Sequence, residues 1–397
     1  MGDLGVYIQV PFCQTKCTYC NFRTGVVSPG RFAPYATAVC REIANYRPLF
    51  ESSGVTVSPS IDLPTRTVDT VYVGGGTPSL LEPELLTDML LALRASFDCS
   101  FTEVTLEADP ETIHAEKAAH WAATGFNRIS FGTQSFVDEE LRAAGRMHCR
   151  DDIYRAVPIL RAAGIRNISF DLIAGLPKQT DASWRQSLGE AMALGPEHIS
   201  IYMMEIDEGS RLGLEVLQSG SRYSAKDIPS EESMAKFYEL AQAELKSSGY
   251  VQYEISNWAK PGFESRHNLK YWRRDPYLGF GAGAHSFSGA QRWANRHDAA
   301  VYVAAISEGM SAIESVDTLT PTLALEEEFF LGLRRLSGID LTRIEREYSV
   351  SLGEKVSELA LRGIVEKHGD ILRLPADKLS VSTEIILELL RSVQVAA

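Results

Sequence analysis

The sequence predicts an α/β fold, a partial (βα)6 barrel followed by a small winged-helix-like α+β module. Three observations predict it. Short apolar runs alternate with stretches of helical period as far as residue 250 or so, the pattern of repeated βα units. The motifs with chemical potential fall just after those runs, at the face where parallel barrels gather their chemistry. From about Thr318 the alternation gives way to helices and one hairpin.

The first unit is the strand Val6–Val10 and, after a loop, the helix Tyr35–Tyr46. Residues 51–66, rich in Ser, Thr and Pro, read as a surface loop. The next units are Thr70–Val73 with the helix Pro83–Ala95, and Val104–Glu107 with the helix Ala115–Thr124. The fourth strand, Arg128–Phe131, precedes helices over Val137–Ala144 and Asp151–Ala163. Ile168–Ile173 with Ser183–Leu194, then His198–Met203 with Glu231–Ser248, complete the six. The last part has helical patterns over Leu323–Leu336, Leu341–Tyr348 and Leu352–Arg362, a hairpin turning at Gly369, and a helix over Thr383–Val393. The expected division is therefore a barrel over 1–250, a connecting segment over 251–317 and the winged-helix-like module over 318–397.

A 45% hydrophobic content over 397 residues suits a packed globular chain. With 39 Lys and Arg against 52 Asp and Glu, the net charge of −13 opposes general nucleic-acid binding, which depends on neutralising phosphates. Residues 318–397 carry ten Lys and Arg against thirteen Asp and Glu, so DNA binding by the module is not expected either. Met1–Gly5 lacks the basic and apolar regions of a secretory signal, and no apolar run is long enough to cross a bilayer. A cytoplasmic location with reduced thiols is expected.

Three of the six cysteines are clustered as Cys13-x3-Cys17-x2-Cys20, directly after the first strand. Iron–sulfur cubanes normally take four thiolates, so three leave one iron open, as catalytic metal sites require. A zinc site is the alternative, but zinc motifs usually come as two C-x2-C pairs. Gly74-Gly75-Gly76-Thr77-Pro78-Ser79 follows the second strand. Its glycines let backbone approach a ligand, whereas a dinucleotide fingerprint would need Gly or Ala where Ser79 stands.

The cysteine spacing is that of the radical S-adenosylmethionine superfamily. With Val6-Tyr7-Ile8-Gln9-Val10-Pro11-Phe12-Cys13, the GGGTPS run, Leu106-Glu107-Ala108-Asp109-Pro110, Phe131-Gly132-Thr133-Gln134-Ser135-Phe136 and Asp171-Leu172-Ile173-Ala174-Gly175-Leu176-Pro177 in order, the whole chain resembles the coproporphyrinogen III oxidase-like branch. The resemblance implies a [4Fe-4S] cluster on Cys13, Cys17 and Cys20. It also implies S-adenosylmethionine held by Tyr7, Tyr19, Gly75, Gly76, Thr77, Glu107, Gln134, Arg146 and Asp171.

Within that branch, oxidases carry a further Cys where this chain has Phe22, and they have an extension before the barrel. His267-Asn268-Leu269-Lys270-Tyr271-Trp272 instead matches the HNxxYW motif of the haem-chaperone group. That match implies haem as ligand and a haem-acceptor protein as partner, with no membrane span. Imidazole is a common axial ligand of haem iron, which makes His267 the first candidate and His285 the second. Tyr271, Trp272, Tyr277, Phe280 and Phe287 are candidates for an aromatic haem surface. An oxidase that decarboxylates propionates and a radical methyltransferase are the enzyme alternatives; no catalytic residue is assigned.

Overall fold

The computed structural model describes residues 3–56 and 66–395. Residues 57–65, most of the stretch read as a surface loop, lie outside the described residues. Six strands, β1 (Leu4–Val10), β2 (Val68–Gly75), β3 (Cys99–Ala108), β4 (Arg128–Gln134), β5 (Asn167–Ala174) and β6 (His198–Met203), lie side by side in chain order and all parallel. Each contains a predicted strand. Both faces of such strands are covered, which is why they read as apolar runs. In β1, Leu4, Val6, Ile8 and Val10 are fully buried against the helices, and strand alternation sends Tyr7 and Gln9 to the inner face.

The outer layer consists of α1 (Phe32–Ala44), α2 (Tyr46–Ser52), α3 (Pro83–Ser96), α4 (Ala115–Thr124), α5 (Asp138–Ala144), α6 (Arg150–Ala162), α7 (Asp181–Leu194), α8 (Arg211–Leu217) and α9 (Glu231–Ser247). Neighbours pack as α1 on α3, α3 on α4, α4 on α6 and α7 on α9. Helices α2 and α8 were not predicted; each has seven residues, too short for a clear 3.6-residue period.

The sheet also extends past six strands, which the sequence reading missed. Beyond β6 lie the antiparallel β8 (Asn257–Ala259) and then β7 (Val251–Glu254). At the other edge β9 (Tyr277–Phe280) runs parallel to β1, followed by antiparallel β10 (His285–Phe287), β11 (Gln291–Asn295) and β12 (Ile313–Thr318). These strands have three to six residues, and such short runs leave no readable alternation. Helix α10 (Arg266–Arg273) lies between β8 and β9, and α11 (Ala299–Ser307) between β11 and β12.

The C-terminal part folds as predicted, with α12 (Pro321–Gly332), α13 (Leu341–Tyr348), α14 (Gly353–Leu361) and α15 (Ser382–Leu390) around a small antiparallel sheet of Ile339–Asp340, Ile371–Arg373 and Glu366–His368. It has its own core, including Phe329, Ile344, Leu359, Leu372 and Leu389. Paired contacts fix it to the barrel: Arg274 and Arg292 reach Glu327 at 3.1 and 2.8 Å, and Leu336 donates its N–H to the Tyr253 carbonyl at 3.2 Å. Among the described residues no helix is long and apolar enough to cross a membrane.

Candidate functional site

Cys13, Cys17 and Cys20 occupy the loop leaving β1, and two elements distant in sequence clamp it. Thr18 donates its N–H to the Ala144 carbonyl at 3.0 Å, at the end of α5, and Leu212 of α8 donates to the Thr18 carbonyl at 2.8 Å. The Arg211 guanidinium donates to the Lys16 carbonyl, and Asn21 to Asp207 at 3.0 Å. Helix α5 stops at Gly145 with φ of +75°, in the left-handed region where Gly is unstrained, and a Cβ there would stand 3.2 Å from the Thr18 methyl. Burial raises the thiols of Cys13 and Cys20 above their usual range. Arg146 donates to the Cys17 sulfur at 3.4 Å.

The three thiols open into a cavity of about 1000 Å3 that also receives Tyr19, Gly75, Gly76, Thr77, Glu107, Gln134, Arg146 and Asp171. Strands β2, β3, β4 and β5 end here, which brings residues nearly 100 positions apart to one rim. Glu107 accepts from the Gly75 N–H at 2.8 Å and the Tyr72 hydroxyl at 2.9 Å. Burial nevertheless pushes its carboxyl up to about 7, so a cationic ligand beside it would favour the ionised form. Asp171 is likewise raised by burial and accepts from Ser130 at 3.0 Å. Asp109, which the sequence reading quoted within a motif without assigning it a role, accepts from Thr77 at 3.0 Å and pairs with Arg146. Arg146 also donates to the Gly132 carbonyl at 3.0 Å.

Two buried atoms at this rim, Gln134 Oε1 and Arg146 Nε, have no hydrogen-bond partner among the described residues. Gln134 also holds a φ of 55°, uncommon for a residue with a Cβ and a mark of a functional constraint. A ligand with amino, carboxylate and hydroxyl groups suits these unmet atoms and the glycine-lined wall. No three of the described His, Cys, Asp and Glu side chains are set to grip a single ion. The fit to a cluster rests on the thiols' shared loop and cavity. Tyr7 stands apart from the cavity lining. Its ring stacks on Tyr72 at 6.0 Å and its hydroxyl donates to Gln9 at 2.7 Å.

The HNxxYW segment forms most of α10, which lies across the barrel near the start of the strands. The Glu103 carboxylate of β3 accepts from the N–H groups of Arg266 and His267 at 3.0 and 2.9 Å. Lys270 pairs with Asp69 at 2.8 Å. Asn268, Tyr271 and Trp272 face the cavity. His267 does not. It is fully buried, with Nδ1 3.0 Å from Thr70 Oγ1 and Nε2 2.8 Å from the Tyr271 hydroxyl. Burial pushes its pKa down to about 3. With both nitrogens engaged and the ring buried outside the cavity lining, its packing speaks against an axial-ligand role. The second candidate, His285, is exposed on β10 and also lies outside the cavity lining. Of the candidate aromatic surface, Phe280 is buried in the core, while Tyr271, Tyr277 and Phe287 line a second, smaller cavity.

Replacing His267 by Ala is expected to cost about 2 to 4 kcal/mol, because it leaves a void and two unsatisfied hydroxyls. Thermal melting should show this loss, while the absorption spectrum of bound haem should keep its parental shape. A changed spectrum with unchanged melting would restore the ligand role.

Residues 7–191 match the sequence model of the radical SAM superfamily. The haem chaperone HemW of Bacillus subtilis is 34% identical over 367 residues, 90% of this chain and 92% of that protein. HemW of Mycobacterium tuberculosis is 33% identical over 377 residues, 93% and 90% of the two chains. This chain belongs to the HemW family. Membership implies a [4Fe-4S] cluster and S-adenosylmethionine. A mitochondrial radical S-adenosyl methionine domain-containing protein 1 of Bos taurus is also similar, at 30% identity over 91% of this chain and 74% of its own. In structure the chain resembles coproporphyrinogen III oxidase, HemN, of Escherichia coli, with a TM-score of 0.81, 23% identity and coverage of 98% and 90%. That likeness concerns the fold. Radical SAM barrel and C-terminal module are both within it.

The sequence reading also missed part of the cavity wall. Leu331, Arg334, Ser380, Ser382 and Thr383 of the C-terminal module line the same space. They lie in no motif, so only the docking of the module against the barrel reveals them.

Proposed function

We propose that this chain is a cytoplasmic haem chaperone that binds haem in the large cavity and passes it to an acceptor protein. In this reading Cys13, Cys17 and Cys20 hold the cluster. Thr77, Glu107, Gln134, Arg146 and Asp171 bind S-adenosylmethionine beside it. The observation that carries the reading is that one cavity receives both the three-cysteine loop and the Asn268, Tyr271 and Trp272 face of α10. A planar apolar ligand between them would meet aromatic walls suited to stacking and lie within reach of the cluster loop. When bound, the cluster and S-adenosylmethionine supply one-electron chemistry. The protein's own residues orient them and exclude water.

Haem transfer is favoured over porphyrinogen turnover by Phe22, which stands 65% exposed at the cavity mouth where the oxidases carry a further Cys. Anaerobically reconstituted protein is expected to bind haem and to yield no protoporphyrinogen from coproporphyrinogen III under conditions in which an oxygen-independent oxidase turns over. Chromatography of the porphyrin products checks this. Multiple-turnover decarboxylation would replace the chaperone reading with the oxidase one, and a methylated aromatic product would indicate a methyltransferase.

A further inference from the structure

The geometry points to Arg334, with Ser382 and Thr383 beside it, as a carboxylate-binding subsite in the C-terminal wall of the cavity, placed to hold a propionate of the haem proposed above. The inference rests on that reading. Arg334 follows α12 and faces the cavity together with the residues that open α15. Among the described residues its one hydrogen bond is long, from Nη2 to Thr383 Oγ1 at 3.4 Å, and its Nε is buried without a partner. A guanidinium has five N–H donors, and taking a charge partly out of water is costly unless a partner compensates.

Three other arginines of this region are compensated, whereas the adjacent Arg335 also has a buried, unpartnered Nε and donates to the Gly338 carbonyl at 2.9 Å. Arg274 and Arg343 reach Glu328 at 2.9 and 2.7 Å, and Arg292 reaches Glu327 at 2.8 Å. Among the described residues no carboxylate lies within ion-pair distance of Arg334. The nearby Glu254 is raised by burial to about 7, with Arg334 acting from beyond ion-pair distance to lower it, and spends its oxygens on Ser256 N–H, at 3.2 Å, and on the Asn257 amide.

The rest of the cavity argues for the same ligand orientation. At the barrel rim Arg146 is already paired with Asp109, and Glu107 and Asp171 bring two further carboxyls, a poorer setting for a carboxylate ligand than Arg334. Tyr202, Ile255, Trp272 and Leu331 line the same cavity and provide wall for an apolar body. A flat ligand with carboxylates along one edge matches this polarity. Carboxylate is also present in S-adenosylmethionine, so the test must separate the two sources.

Haem and haem dimethyl ester, which lacks free carboxylates, are titrated into reconstituted full-length parent, Arg334→Gln and Arg334→Lys proteins. S-adenosylmethionine binding is measured alongside. Arg334→Gln is expected to weaken haem roughly 10- to 100-fold, as for a lost charge-assisted hydrogen bond. Affinity for the ester and for S-adenosylmethionine should be retained, and Arg334→Lys should recover part of the haem affinity. Equal losses for haem and ester, no loss for either, or a loss confined to S-adenosylmethionine would each overturn the subsite. A parent protein that binds neither porphyrin would sink the haem reading itself, a result distinct from parental binding that Arg334→Gln leaves unchanged.

Discussion

Cys17→Ala protein, reconstituted anaerobically, is expected to lose its cluster, and Cys13→Ala and Cys20→Ala should do the same. The effect is all-or-none because a cubane that already has only three protein thiolates has no ligand to spare. Nor can another cysteine take over. Cys40 packs against the barrel core from α1, and the Cys99 sulfur lies by the Leu93 and Phe97 carbonyls at 3.6 and 3.5 Å. Cys149 is exposed at the start of α6. Iron and acid-labile sulfide assays check the outcome, with Cys40→Ala and Cys99→Ala as controls that should keep both. Full iron and sulfide in Cys17→Ala protein would remove the cluster assignment.

The Gly76→Ala substitution is expected to abolish S-adenosylmethionine binding and to impair cluster assembly with it. A methyl group at position 76 would run into the backbone of Phe12, whose C and N atoms would lie 2.8 and 2.9 Å away and its carbonyl oxygen closer still. Backbone cannot swing aside as a side chain can. Phe12 is held at this point, since its carbonyl accepts the Thr77 N–H at 2.6 Å while Gly76 donates to Val10 at 2.8 Å. The strain must therefore move either the Gly74–Thr77 turn or the Cys13 end of the cysteine loop. Equilibrium dialysis for S-adenosylmethionine and iron content check this, beside Gly30→Ala as a control with open space around its Cβ. Parental binding and iron content in Gly76→Ala protein would show that the turn does not set the site.

The six barrel strands, the three-cysteine loop and the glycine turn were legible because each depends on local information. An apolar run buried on both faces, a fixed cysteine spacing and a turn that admits no Cβ leave their mark within ten residues of sequence. The same holds for the C-terminal helices, whose 3.6-residue period follows from one buried face, as with Leu341 and Ile344 in α13. The edge strands β7 to β12 left no such mark, being too short to alternate and joined to the barrel only where β8 pairs with β6 and β9 with β1, far away in the chain.

Sequence by itself determined where the side chains with the chemistry for a cluster and a polar cofactor lie along the chain, and in what order the barrel strands come. Only the tertiary structure decided which of those side chains face the cavity. His267 and Tyr271 are four positions apart on α10 and hydrogen-bonded to each other, yet the imidazole points into Thr70 and the barrel interior while Tyr271 reaches the cavity. Arg334 carries no motif at all and becomes a cavity residue because the module's core docks it there. A side chain's chemistry is local, but its solvent, partners and neighbours are set by packing between segments hundreds of residues apart, and those decide whether an imidazole or a guanidinium is free to meet a ligand.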